Sequence, residues 1–511
     1  MEKKQMNKNK IYLLSFFGGF LSLSVEIIWV RIISFAGMGV SQAFSFTLAM
    51  FLFGIALGAL LGRKLCLESR VTPRSAAKIF IAAGIVDLML IILMGFIGQF
   101  DQIAKIAGGF VFLTALVRGI AFPVIHHIGA NDSKKGKQIS NVYFANVLGS
   151  SLAPLMIGFI LFDLLTTQQV YLLVSAFSFG IACLFLQLKG RIFSFFMLII
   201  TIACTFFLPE RIINEIASNS VSPNLPPTSI IENRHGIIQA YTNNEVDGDM
   251  LIFGNNAYDG RLNTDIFNDT NTVSRSYLLS SLKKNANNVL VIGLSTGAWT
   301  EVLTFMPSIE KITVVEINPA YKELIKNNPK VSHLLKDKRV DIIFDDGRKW
   351  LRKNQDKKFD LIVSNNTFHW RMYSTNLVSQ EFLVLAKGVL KKDGILYYNA
   401  TGNPDIFLTA SSIFKHVYKH RNMVLVSNDP VEIDLHATVN ALCEMVRPET
   451  SKPIFRNIFD CVEAFRVIDK YKLEPFNQIN LKQMSVFPPA IITDDNMLTE
   501  YKHAMFGTSG T

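Results

Sequence analysis

The N-terminal part of the chain is a succession of apolar stretches, each long enough to cross a bilayer. They run Ile11–Ser34, Val40–Gly62, Ala77–Gly98, Ile103–Ile125, Val142–Phe162, Val170–Leu188 and Ile192–Leu208. About 20 apolar residues suffice for a spanning helix, and a chain in hydrocarbon has to satisfy its backbone internally, so helices are what this pattern permits. Residues 1–208 are expected to form about seven transmembrane helices, the last of them short. The first carries Glu26, Trp29 and Arg31 and no small-residue cleavage site, so it is expected to be a retained helix rather than a cleaved leader.

Loop charge sets an expected orientation. Lys3, Lys4, Lys8 and Lys10 precede the first segment, and Arg63, Lys64, Arg70, Arg74 and Lys78 lie between the second and third. Lys134, Lys135 and Lys137 follow the fourth, and Lys189 and Arg191 the sixth. The positive-inside rule puts this N-terminus in the cytoplasm, here of a bacterial-type plasma membrane. An odd number of crossings would export the C-terminal part; a last segment that is interfacial or re-entrant keeps it cytoplasmic, the side expected. The net charge of +10 arises partly from these loops and argues for anionic lipid before nucleic acid as a partner.

Four ionisable residues, Glu26, Arg31, Asp87 and Arg118, lie in or at the ends of apolar segments. Such groups face a cavity or one another, and arginines near an interface also have the option of snorkelling. Gly54, Gly58 and Gly62 form a stripe suited to close helix packing. Residues 209–230, rich in Ser, Asn and Pro, read as a linker, and 231–275 as a small β region with strands at His235–Thr242 and Met250–Gly254. Tyr258, Asp259, Asn263 and Asp265 then sit in a compact polar loop, either capping their own backbone or facing a substrate.

From residue 276 the pattern becomes α/β. Val289–Ile292 reads as a buried strand, followed by a turn with Gly293, Ser295 and Gly297 and a helical pattern from Thr300. Lys311–Val315 ends in Glu316, Arg339–Phe344 in Asp345 and Asp346, and Phe359–Val363 in Ser364, Asn365 and Asn366. Polar residues thus collect at successive strand C-termini, where open α/β sheets bind ligands. The turn is GLSTG, so the dinucleotide fingerprint GxGxxG is not met.

The run VLVIG…VVEINP…DDGRKWL…FDLIVSN resembles the S-adenosylmethionine-dependent methyltransferase fold and, in detail, the spermidine synthase family, over roughly Arg234 to Gly402. SLSVEIIWVR and VYFANVLGSSLAPLMIGFIL resemble segments of membrane-bound spermidine synthase-like proteins. The implied architecture is a multi-helix transmembrane domain, a small β-hairpin region and a Rossmann-like α/β domain over 276–511. The implied cofactor is S-adenosylmethionine or its decarboxylated form, cradled by Gly293, Ser295, Gly297, Glu316, Asp345 and Asp346.

The acceptor side departs from that family. Its D-S-S-D type motif becomes Asn365, Asn366, Thr367 and Phe368, Thr296 stands where an aspartate is common, and Asn318 replaces the aspartate of VEIDP. Asparagine is not a general base and phenylalanine carries no counter-charge, so cofactor binding survives the comparison better than transfer to a diamine. Next come His369, Trp370, Arg371 and Tyr373: a base titrating near neutrality, a flat apolar face and a fixed cation. With Asn365 they are the candidate catalytic group, His369 as base and Arg371 as anchor for an anionic part of the acceptor.

Asp494 and Asp495, with Glu500 beyond, either restore the missing carboxylates or form a surface turn or helix cap. The five cysteines show no metal spacing and imply no disulfide framework. Two functions are open: a membrane-anchored transferase acting on a small amine or anion, with homo-oligomer as an open option, or a non-catalytic transport or sensing protein in which Glu26 and Asp87 carry the activity. Nucleic acid is not an expected partner.

Overall fold

The computed structural model describes residues 8–69, 71–100, 102–130, 135–222, 225–242, 249–365 and 368–502. The chain forms two compact units, one reaching to Ile237 and one spanning Ile238–Ala504.

The first unit is helical: α1 (Asn9–Ala36), α2 (Ser41–Glu68), α3 (Pro73–Ile97), α4 (Ile103–Gly129), α5 (Gly136–Leu164), α6 (Thr167–Cys183) and α7 (Leu188–Phe207). All except α6 are long and apolar enough to cross a membrane. Helix α6 has 17 residues, which at a rise of about 1.5 Å each fall short of a hydrocarbon core ~30 Å thick. The short member of the seven is therefore the sixth and not the last, a correction with a local cause. Thr166 and Gln169 cap the start of α6 reciprocally, and the apolar run Leu184–Leu186 continues past its end as a turn. The stretch expected to be a featureless linker also contains a short helix, Ile212–Ala217, with four buried apolar residues, and a strand, β1 (Ser229–Asn233).

The small-residue stripe on α2 packs against α4. A Cβ on Gly58 would fall 2.2 Å from the Leu116 carbonyl, and one on Gly54 2.6 Å from that of Phe112, so only glycine lets these backbones meet. The ionisable residues mostly face one another. Arg118 donates to both Asp87 oxygens, at 3.0 and 2.5 Å, and is buried rather than snorkelling. Thr114 and Tyr171 also donate to Asp87 Oδ1, at 2.7 and 3.3 Å. Arg31 reaches Thr167 Oγ1 at 2.9 Å and lies 3.7 Å from Glu232; Glu26 is half-buried.

In the second unit β2 (Gly236–Thr242), β3 (Met250–Gly254) and β4 (Ala257–Arg261) pair antiparallel in sequence order. An eight-stranded mixed sheet comes after them: β5 (Asn288–Ile292), β6 (Lys311–Glu316), β7 (Val340–Phe344), β8 (Phe359–Ser364), β9 (Leu390–Asn399), β10 (His416–His420), β11 (Met423–Ser427) and β12 (Glu474–Pro475). The order is β12-β10-β11-β9-β8-β5-β6-β7, parallel from β9 to β7 and antiparallel on the other side. The chain leaves β5 through β6 to β7, then returns to lay β8 and β9 on β5's other side. The C-terminal ends of β5 and β8 thus flank a topological switch point, the crevice where such sheets take ligands.

Burial fits that layering: β5 and β8 are almost wholly buried, and Leu290, Ile362, Phe382, Leu396 and Val424 share one core. Cys443 and Cys461 form a disulfide between helices Leu435–Cys443 and Ile458–Asp469, contrary to the expectation of none. A separation of 18 residues matches no sequence motif; only helix packing brings the pair together.

Candidate functional site

The turn after β5 is left-handed at three positions, Gly293 (φ 89°), Ser295 (φ 46°) and Gly297 (φ 77°). The two glycines are needed for different reasons. Among the described residues, a Cβ on Gly293 would have only the Asn365 carbonyl within reach, at 3.9 Å, so these leave space open where β5 and β8 end. One on Gly297 would press on Ile325 and Leu334 at 3.0 Å, so that glycine serves packing.

Glu316 closes β6 and is buried. Its oxygens accept the backbone N–H of Leu294 at 2.7 Å and of Asn318 at 2.8 Å, which fastens the glycine turn to the neighbouring strand. Burial raises its pKa to about 7, opposed by those N–H donors and reinforced by Asp259. The backbone N–H of Ser295 also bonds to Glu316; a carboxylate has about four acceptor sites, so capacity for a ligand hydroxyl is still left.

Asp259, on β4, is brought to the same place. The Tyr321 hydroxyl donates to its Oδ2 at 2.5 Å, and Ser295 Oγ donates to its carbonyl at 2.9 Å. At Gly260 (φ 142°) an added Cβ would lie 3.5 Å from Thr296, so the β3–β4 hairpin rests on the glycine turn. Burial raises the pKa of Asp259 while the Arg371 cation pulls it down. Arg371 is held by burial below the usual guanidinium range, with Asp259 and Tyr321 opposing. The floor of the site is thus Gly293, Ser295 and Glu316, and beside it stand Asp259, Tyr321 and Arg371. Tyr321 was not anticipated; its only signal in the sequence is a tyrosine in the first turn of the helix after β6.

Other candidates are placed less centrally. Asp346 caps helix Gly347–Lys353 by accepting from Lys349 N at 2.7 Å. Asp345 accepts from Lys349 Nζ at 2.7 Å, and that bond holds its carboxyl below the ordinary range. The exposed apolar faces of Ile317 and Phe344 adjoin these acids, a further feature not anticipated, suited to a flat ring.

In the stretch after β8 His369 is buried, and its carbonyl accepts from Ser374 Oγ at 2.7 Å. Phe368 and Trp370 stack with centroids 5.0 Å apart. Asn365 is half-buried at the end of β8; Asn366 and Thr367 lie outside the described residues. Tyr373 is left-handed (φ 66°) and 66% exposed, on the outside of this turn. Tyr258 meets Phe253 edge-on at 5.7 Å. Asp265 is exposed and accepts the Phe267 N–H at 2.9 Å, a capping role in its own turn. Asp494 is clasped by both Nη atoms of Arg348 and accepts from Ser379 Oγ at 2.9 Å, while Asp495 is exposed. Glu500, buried, accepts from Thr375 Oγ1 at 2.5 Å and so supports the loop that carries His369 and Arg371.

Residues 277–429 match the family profile described as the spermine/spermidine synthase domain. A polyamine aminopropyltransferase of Agathobacter rectalis is 29% identical over 171 residues, covering 32% of this chain and 58% of that protein. Another, of Clostridium botulinum, is 37% identical over 113 residues, covering 22% of this chain and 39% of the relative. The chain therefore spans between two fifths and three fifths of the length of these curated relatives. Among solved structures, spermidine synthase from Thermotoga maritima aligns at 20% identity with a TM-score of 0.35, covering 47% of this chain and 84% of that one. With the glycine turn, Glu316 and the switch point where the family profile falls, the α/β unit of this chain is spermidine synthase-like.

Proposed function

We propose that the chain is a membrane-anchored transferase that takes decarboxylated S-adenosylmethionine and passes its aminopropyl group to an acceptor other than a simple diamine. The observation that carries this is Glu316: a buried carboxylate at a strand end, with acceptor capacity to spare, beside the open space over Gly293. Ribose hydroxyls would bond to Glu316 and the adenine ring would lie against Ile317 and Phe344. When bound, the cofactor supplies a carbon made electrophilic by its sulfonium: the acceptor's lone pair bonds to it while the C–S pair leaves with sulfur as a neutral thioether. The protein orients the acceptor in line with that carbon and removes the proton its nitrogen then carries.

His369 is the proposed proton acceptor. Asp259 and Arg371 stand as opposite charges near one another, which suits an acceptor pairing an amine with an acidic group, the amine toward Asp259 and the acid toward Arg371. The transport or sensing alternative has less support, because Asp87 is already saturated by Arg118, Thr114 and Tyr171. If six helices cross the membrane, the chain returns to the side on which it began, which the cations before α1 and in the α2–α3 and α4–α5 loops make the cytoplasm, with Lys189 and Arg191 on the opposite side.

The test is the full chain in lipid nanodiscs, offered either S-adenosylmethionine or its decarboxylated form with diamines and with amino acids. Methylthioadenosine formed together with an aminopropylated amino acid supports the proposal. Adenosylhomocysteine would replace the donor, a diamine product would replace the acceptor, and tight nucleoside binding without either thioether would remove the transferase.

A further inference from the structure

Away from the glycine turn and its acids, one side-chain cluster asks for a ligand. Glu301 lies on helix Ala298–Thr304, His333 on the short turn Ser332–Leu335, and Glu449 in the loop Glu444–Asn457. One ligand atom from each falls within 4.8 Å of the others. Glu301 is 1% exposed; its Oε2 is paired with His333 Nε2, and its Oε1 is buried with no hydrogen bond. A carboxylate at that depth whose second oxygen has no partner is costly to keep, and a bound ion is one way to offset it. His333 turns its other nitrogen toward Glu449, whose side chain is 40% exposed and 3.8 Å away, so the cluster opens to solvent on one side. Its loop is closed at both ends by the Cys443–Cys461 disulfide, which limits how far Glu449 can drift.

We propose that Glu301, His333 and Glu449 bind a divalent transition-metal cation, with Zn2+ as the closest chemical fit and water completing its shell. One imidazole nitrogen and two carboxylates form a borderline donor set that suits Zn2+ better than Ca2+ or Mg2+, which prefer oxygen alone. Such an ion would join the helix after the glycine turn to two segments remote in sequence, a structural role independent of the transferase.

The test uses the full chain in detergent micelles, stripped with EDTA and titrated calorimetrically with Zn2+, with a parallel thermal melt. A single site is expected, with Zn2+ raising the melting temperature. Glu449→Gln, an exposed change that leaves the fold intact, and His333→Ala should each weaken binding by more than about tenfold and abolish the thermal shift. Should His333→Ala not fold, Glu449→Gln alone decides. The absence of binding at millimolar Zn2+, or equal affinity in wild type and Glu449→Gln, would show that Glu301 and His333 are simply a buried ion pair, and would overturn the proposal.

Discussion

The two units bury charge in opposite ways. In the helical unit Asp87 is matched: two Arg118 nitrogens, Thr114 and Tyr171 surround it, and opposite charges are paired at close range. In the α/β unit Glu316 and Asp259 lie near enough to raise the pKa of Glu316, their donors are backbone N–H groups and a tyrosine hydroxyl, and the Arg371 cation offsets Asp259 in part. A matched pair is costly to break and leaves no capacity for a ligand. Two carboxylates near one another are costly to keep and leave lone pairs unfilled. The first arrangement fixes a helix bundle; the second leaves the acceptor capacity on which the proposed function rests.

The contrast breaks first at Asp87. Removing one member strands a charge in an apolar interior, so Asp87→Ala should cost about 3–5 kcal/mol in unfolding from detergent micelles, and Asp87→Leu combined with Arg118→Met should recover most of it. A double variant as unstable as the single would mean that the pair does more than neutralise itself.

At Glu316 the expected loss is in ligand affinity. Glu316→Gln should weaken binding of the donor nucleoside by about 1.5–3 kcal/mol, the range for hydrogen bonds to charged groups, read by calorimetry, with the thermal midpoint of the free protein at pH 8 unchanged or higher. A fall in stability without a fall in affinity would make Glu316 a structural strap and end the cofactor assignment.

The same residue sets a pH dependence. Its folded pKa of about 7 lies above the ordinary 4.5, so between those values the folded chain holds a proton that the unfolded chain has released. Its contribution to stability is therefore complete below the ordinary value and is lost as pH rises through about 7. Ligand affinity should run the other way, tightening about tenfold from pH 6 to 8 as the carboxylate ionises and accepts hydroxyl donors. Both slopes should vanish in Glu316→Gln.

Smaller effects sharpen the edge of the site. Asp494→Asn loosens the clasp on Arg348 and should lower the melting temperature without touching nucleoside or amine affinity; a change in amine KM would return Asp494 to the acceptor site. Least affected should be Asp265→Asn and Tyr373→Phe, exposed positions expected within about 0.5 kcal/mol of wild type.

Legibility in the sequence tracks the range of the interactions. Strands β5 to β8, the glycine turn and Glu316 are written in local runs of a few residues, and the structure has them within a residue or two of the expected bounds. The long apolar helices were legible for the same reason, but the extent of α6 was not, because hydropathy continues through Leu184–Leu186 where the helix has stopped. Contacts between distant residues left no pattern to read. Tyr321 meets Asp259 across 62 positions and Arg348 meets Asp494 across 146, so both contacts were missed, and Asp494 was left as either an amine-holding acid or a surface turn. The cysteine pair was hidden likewise, since it depends on how two helices pack.

That sulfur bridge makes the chain a recorder of where it resides. Such links persist where no reducing system keeps thiols apart, and Cys66, Cys183 and Cys204, free thiols in the helical unit, give an internal reference. Blocking thiols at the moment of lysis and weighing the peptide that carries Cys443 and Cys461 reports which compartment the α/β unit occupies, without any tag or fusion to disturb its insertion.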